Sequence, residues 1–177
     1  MKLNQLIDCP YDTLITGIKT NSVNIQKGDL FICIDSKTMD RHLFIDDAIK
    51  KGAAAIIVKN DVKEKSVPII KVDDPNEVFV DIINKFYNYP TDKLQMIGIT
   101  GTDGKTTVAT IIYQLIDNCA YIGTNGIFYN NHKEKTNNTT PALDKTYPLF
   151  VDMINNNIKP SVWKYLVKPF YMNGLEA

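Results

Sequence analysis

The chain has 177 residues, 44% of them hydrophobic, and its twenty basic and twenty acidic side chains cancel to a formal net charge of zero. That length and apolar content suffice for a real core in one or two domains, and the balanced charge excludes the basic footprint of a nucleic-acid binder or an anionic-membrane anchor. No apolar run approaches the roughly 20 residues of a membrane span, and residues 1–10 lack the basic and apolar regions of a secretory leader, so a cytoplasmic protein is expected; a monomer is expected too, though no sequence feature bears on it. Three widely separated cysteines, Cys9, Cys33 and Cys119, read as reduced thiols without metal-ligand spacing or a histidine partner.

In chain order, short β-branched runs alternate with helical stretches, which predicts an α/β fold. Residues 30–34, 54–58 and 68–72 read as strands, with a helix near 44–51 between the first two. Residues 76–87 carry apolar positions at helical spacing, with Asp74 and Pro75 as a start signal and Pro90 as a stop. The segment 88–92 is the expected domain boundary, giving domains 1–88 and 89–177. Beyond it come a short buried strand at 94–99, a helix at 105–116, a solvated Asn- and Lys-rich loop or hairpin tip at 130–138, and a helix at 143–156. No internal repeat is visible.

The chemistry lies between the 94–99 strand and the 105–116 helix. Ile99, Thr100, Gly101, Thr102, Asp103, Gly104, Lys105, Thr106 and Thr107 place a glycine-rich turn and a lysine at a strand-to-helix junction, where backbone N–H groups at the helix N-terminus favour phosphate. In such a loop Gly101 to Thr107 wrap a nucleotide's phosphates, Lys105 lies on the β- and γ-phosphates, and the Thr106 hydroxyl lies on Mg²⁺. The generic P-loop has a glycine five residues before Gly104, where this chain has Ile99. A plain strand-to-helix turn is the alternative, and it has no use for the lysine.

The loop G-T-D-G-K-T-T after I-G-I-T resembles that of the Mur ligases and their folylpolyglutamate synthetase relatives, which form amide bonds by phosphorylating a carboxylate with ATP for attack by an amine. Downstream, Tyr121 to Gly126 and Asn138-Thr139-Thr140-Pro141 resemble the I-G-T and N-T-T-P segments of the MurE-type members, in order and in spacing. The resemblance makes Thr139 and Thr140 candidate contacts for a UDP-N-acetylmuramoyl-dipeptide substrate. On its own, N-T-T-P is an ordinary turn sequence.

Toward the N-terminus, Thr20 to Ile25 followed by Gly28 to Ile34 resembles the D-S-R-x-V-x-x-G-D-L-F-V-A-I signature of the same family's N-terminal domain. Asp40 to Ile45, Ala48-Ile49 and Gly52-Ala53 resemble its D-G-H-x-F-I, A-I and G-A. Ser22, with the 36–38 loop beside it, is thereby a candidate for the uridine diphosphate end. A turn or cap hydroxyl is the other reading of Ser22, and a structural histidine that of His42. Val23 stands where the signature has arginine, and Arg41 where it has glycine. The resemblance implies a small UDP-binding α/β domain followed by an incomplete P-loop, Rossmann-like ATP-binding domain. It also implies ATP and Mg²⁺ as cofactors, Lys105 and Thr106 as catalytic residues, and a diamino acid as the second substrate.

The family is well over twice this length, so the chain is expected to lack the rest of the ATPase domain and the domain that selects the amino acid. Where the family has M-E-V-S-S, this chain has Trp163-Lys164-Tyr165-Leu166-Val167-Lys168. Those residues back-translate to codons that, shifted by one base, read M-E-V-S-S-E, so the sequence from about 162 is expected to be out of frame. On that reading residues after Ser161 have no designed fold, and Trp163, Phe170 and Tyr171 are exposed. The alternative is a genuine amphipathic strand. Three functions remain in view: a ligase that is inactive as this chain alone, a truncated UDP-sugar- or phosphate-binding module, and another Mur-family amide ligase, against which the 122–126 and 138–141 segments argue.

Overall fold

The computed structural model describes residues 1–34, 39–135 and 142–164. It divides into two compact units, Met1–Tyr89 and Pro90–Ala177.

Unit 1 runs α1 (Leu3–Leu6), β1 (Gly17–Lys19), a 3₁₀ turn (Ser22–Asn24), β2 (Asp29–Ile32), a 3₁₀ turn (Arg41–Phe44), α2 (Ile45–Lys50), β3 (Ala55–Val58), β4 (Ile69–Lys71) and α3 (Pro75–Phe86). Its four strands lie in the order β1-β2-β3-β4, all parallel. A parallel sheet needs cover on both faces, so its strands are apolar at successive positions. β2 and β3 are buried at every residue, as the runs at 30–34 and 54–58 lead one to expect. Alternation then sends Phe31, Cys33, Ile56 and Val58 into one cluster with Ile45 and Ala48 of α2. Helix α3 starts where Asp74 accepts the Asn76 N–H at 2.8 Å and Pro75 supplies the pre-set φ of a first helical position. It buries Phe79, Ile82 and Ile83, and Lys85 Nζ donates to the Leu6 carbonyl of α1 at 3.1 Å.

Unit 2 runs a 3₁₀ turn (Pro90–Lys93), β5 (Gln95–Ile99), α4 (Lys105–Leu115), β6 (Ala120–Gly123), β7 (Gly126–Tyr129), β8 (His132–Glu134), α5 (Leu143–Asn155) and β9 (Pro160–Lys164). The sheet order is β5-β9-β6-β7-β8, with β5, β9 and β6 parallel and the β7–β8 hairpin antiparallel. The stretch from 130, read as a solvated loop or hairpin tip, begins with the tip of this hairpin, turned by Asn130 at φ 47°. Asn tolerates that left-handed backbone, which lets a polar tip close the strand pair. The 94–99 strand is not buried as expected: β5 is half-exposed because it pairs with β9 on one side and with no described strand on the other.

Trp163 corrects the expectation of an exposed, unfolded stretch after Ser161. It is 3% exposed, in the middle of the sheet, with β9 hydrogen-bonded to β5 and β6. Its ring lies 5.4 Å from that of Phe150, and its Nε1–H donates to Ser161 Oγ at 2.9 Å. Val162, pointing the other way, joins Ala109, Cys119 and Tyr121 in a cluster edged by Ile112 and Tyr113. Phe170 and Tyr171 lie outside the described residues. Among the described residues no helix is long and apolar enough to cross a membrane.

Candidate functional site

β5 delivers the chain into α4 through residues 100–104, and the loop's geometry follows from its glycines. Gly104 is the N-cap of α4 at φ 75°, a left-handed conformation that costs an L-residue about 1–2 kcal/mol. Gly101 has φ 136°. No side chain caps the helix, and its first turn holds no acid, so the first N–H groups of an eleven-residue helix are left for a ligand. Its intrahelical bonding begins with Val108 N–H to the Gly104 carbonyl at 2.9 Å. Lys105 Nζ folds back over the loop, donating to the carbonyls of Gly101 and of Thr102, the latter at 2.7 Å. Lys105 and Thr106 are half-buried, while Thr102, Asp103 and Thr107 are exposed. Uncapped amides, a flexible ammonium and a hydroxyl thus converge on one loop, a donor set that fits a polyphosphate with its Mg²⁺. The seven residues from Gly101 to Thr107 form the end of this loop and the first turn of α4.

The other sequence candidates fall elsewhere. Ser22 opens the 3₁₀ turn of unit 1 and is 4% exposed; its side chain hydrogen-bonds Asp47. Lys51 Nζ donates to the Ser22 carbonyl at 3.1 Å and to Asp47 at 2.8 Å. The Lys51 and Ser22 bonds hold the Asp47 carboxyl below the usual carboxylate range. His42 is a connector: its Nδ1 meets Asp40 Oδ1 at 2.7 Å, and its Nε2 accepts the Lys59 and Asn60 N–H groups at 3.2 and 3.3 Å. Thr139, Thr140 and the 36–38 loop lie outside the described residues.

Sequence reasoning passed over a polar cleft of about 610 Å³ at the β7–β8 end of the sheet, away from β5, lined by Tyr129, Asn130, Asn131, His132, Asp152 and Asn156. The Tyr129 hydroxyl donates to Asp152 Oδ2 at 2.6 Å, and burial together with that carboxylate pushes the phenol well above its ordinary range. Its ring stacks on His132 at 4.5 Å. These contacts tie the hairpin to α5, 23 residues apart in the chain for Tyr129 and Asp152. No local pattern announces them.

A model of the Mur ligase family catalytic domain matches residues 14–87, and one of the Mur ligase middle domain matches residues 99–162. The UDP-N-acetylmuramoyl-L-alanyl-D-glutamate–2,6-diaminopimelate ligase of Clostridioides difficile is 39% identical over 147 residues, covering 80% of this chain and 30% of that protein. The enzyme of the same name from Clostridium perfringens is 35% identical, with 84% and 32% covered. The chain therefore spans about a third of the length of these relatives. A solved diaminopimelate ligase structure of that name superposes with a TM-score of 0.71 at 21% identity, over 93% of this chain and 35% of the other, a likeness of fold. The MurF ligase of Thermotoga maritima in complex with ADP superposes with a TM-score of 0.51 at 26% identity, over 86% and 32%. With one family model on the parallel-sheet unit and the other on the phosphate-loop unit, the chain belongs to the Mur ligase family, matching its N-terminal domain over 14–87 and its middle domain over 99–162.

Proposed function

We propose that the chain carries the nucleotide-handling parts of an ATP-dependent, amide-bond-forming ligase of peptidoglycan precursor synthesis, of the MurE type, working as a cytoplasmic monomer. Unit 2 holds the phosphates of ATP with Mg²⁺. Unit 1 holds the UDP end of UDP-N-acetylmuramoyl-L-Ala-D-Glu, the acceptor of a diamino acid. The observation that carries the reading is the left-handed Gly104 at the uncapped start of α4 with Lys105 beside it.

ATP supplies the phosphoryl group that activates the substrate carboxylate. The protein's share is placement and charge neutralisation. Lys105 exchanges the Gly101 and Thr102 carbonyls for phosphate oxygens, gaining charge-assisted bonds. The α4 amides would hold the remaining oxygens, and the Thr106 hydroxyl would be a ligand for Mg²⁺. Ser22, fixed by Asp47, shapes the turn that meets the uridine diphosphate, and Thr139 and Thr140 contact the rest of that substrate.

Because the chain spans 30–32% of the relatives named above, we read it by itself as a binder without turnover. Titration calorimetry of Mg·ATP against the whole chain and its Lys105→Ala variant tests the phosphate site, with at least a tenfold weaker binding expected for the variant. Equal affinities would remove Lys105 from it. ADP formation that depends on the UDP-dipeptide and a diamino acid would overturn the absence of turnover.

We also propose that the reading frame shifts at about residue 162, where the middle-domain match ends. Resequencing the gene across the Asn155 to Ala177 codons decides it: a one-base correction that restores M-E-V-S-S supports the shift, and an unchanged sequence refutes it.

A further inference from the structure

Arg41 is the only arginine among the 177 residues; every other member of the basic set is lysine. Its Nη1 donates to the Thr20 carbonyl at 2.5 Å, just past the end of β1. Its charge also acts on Cys33, just past the end of β2. The next residue, His42, accepts the Lys59 and Asn60 amides just past the end of β3. Two consecutive side chains therefore tie the segment to the carboxyl ends of β1 and β3, which flank β2, on the side where open α/β sheets take ligands.

Arg41 is incompletely satisfied there. Its Nε is buried with no hydrogen-bond partner, and among the described residues no carboxylate forms an ion pair with it. A buried guanidinium donor without an acceptor carries a desolvation cost that a ligand oxygen would repay. A planar guanidinium fork offers several N–H groups at once and matches phosphate oxygens better than any lysine. The neighbouring charges are already engaged: Asp40 by His42, and Asp47 by Lys51. Val23 on the same turn is exposed and brings no charge.

We propose that Arg41 is the phosphoanhydride-contacting residue of unit 1, gripping the diphosphate of the nucleoside-diphosphate substrate beside the Thr20 to Ser22 turn. The proposal rests on the substrate reading given above for unit 1. It assigns the specificity of this unit for a diphosphate to a side chain that the 3₁₀ turn, and not the sheet, presents.

A sole arginine gives one Nε–H cross-peak, so the whole chain labelled with ¹⁵N-arginine is titrated with UDP, inorganic pyrophosphate and uridine, while backbone amides of unit 1 are followed in a uniformly labelled sample. The expected result is a saturable shift of the Arg41 peak with UDP and pyrophosphate and none with uridine. UDP binding is expected to weaken at least tenfold in Arg41→Gln, less in Arg41→Lys, with the thermal midpoints of both free variants near that of the parent. UDP-induced shifts at residues 20–22 with the Arg41 peak unmoved, or equal UDP affinity in a folded Arg41→Gln, would overturn the proposal and leave the substrate reading standing. Silence of every unit 1 amide toward UDP would overturn the substrate reading, and the proposal with it.

Discussion

The two sheets differ in how they are covered. In unit 1 each strand lies beside its neighbour in sequence, and β2 and β3 are buried throughout. In unit 2 the strand that leads into the phosphate loop stands at the edge of the sheet, half-exposed. The helix after it turns Val108, Ile111 and Leu115 outward, 45%, 48% and 78% exposed. Positions three and four apart share one face of a helix, so these form a stripe and not scattered residues. The phosphate loop is thus carried by sparsely covered elements, whereas the turn proposed for the uridine diphosphate rests on a closed core.

Large-to-small core substitutions test that contrast most severely. Phe31→Ala and Trp163→Ala, at 0% and 3% exposure, are each expected to cost about 3–5 kcal/mol in urea unfolding. If the units unfold separately, each variant shifts a different transition. A single transition moved by both would break the comparison. Hydrogen exchange sharpens it at residue level: amides of β2 and β3 are expected to exchange only when unit 1 opens globally, and those on the open side of β5 much sooner.

Smaller effects follow. Tyr129→Phe removes the bond to Asp152 and is expected to destabilise unit 2 by about 1–3 kcal/mol, read as a lower unfolding midpoint. Burial, with Asp40 nearby, pushes the Cys33 thiol up from 9.0 to about 12. The folded state therefore keeps a proton that the unfolded state releases, so this contribution to stability is complete below pH 9 and is lost as the pH rises toward 12. At pH 8 a thiol reagent is expected to modify Cys9, which is partly exposed, well before buried Cys33 and Cys119. Leu115→Lys, on the open stripe, is expected to change stability by no more than about 0.5 kcal/mol while reducing binding of a hydrophobic dye.

What the sequence revealed and what it hid divide along physical lines. β2, β3, α3 and α4 are written in local apolar periodicity and in start signals such as Asp74-Pro75, and the phosphate loop in contiguous residues. β5 misled because its apolar residues suit a buried strand, whereas its place at the edge is set by strand order, which no local window contains. The β7–β8 hairpin was half legible: Asn and Lys marked its tip, but not that His132–Glu134 would pair as a strand. The expectation of an exposed Trp163 came from reading the sequence from about 162 as out of frame, whereas the alternative, a genuine strand, is what forms, with a parallel ladder on both sides enclosing it. The Arg41 to Thr20 bond spans 21 residues, and the Tyr129 to Asp152 bond 23; such pairings become visible only once the chain is folded.

The order β5-β9-β6 has a consequence for time as well as for shape. As the chain leaves a ribosome, unit 1 can add each strand to the one before it. Unit 2 cannot, because β5 and β6 emerge with no direct pairing between them and must wait for residues 160–164 to slide into the gap. Closing a non-local parallel pairing is slow, and during that interval two strand edges and the apolar face of α4 are open to other chains. A nascent chain paused between Asn155 and Pro160 is the species on which a chaperone would have most to do.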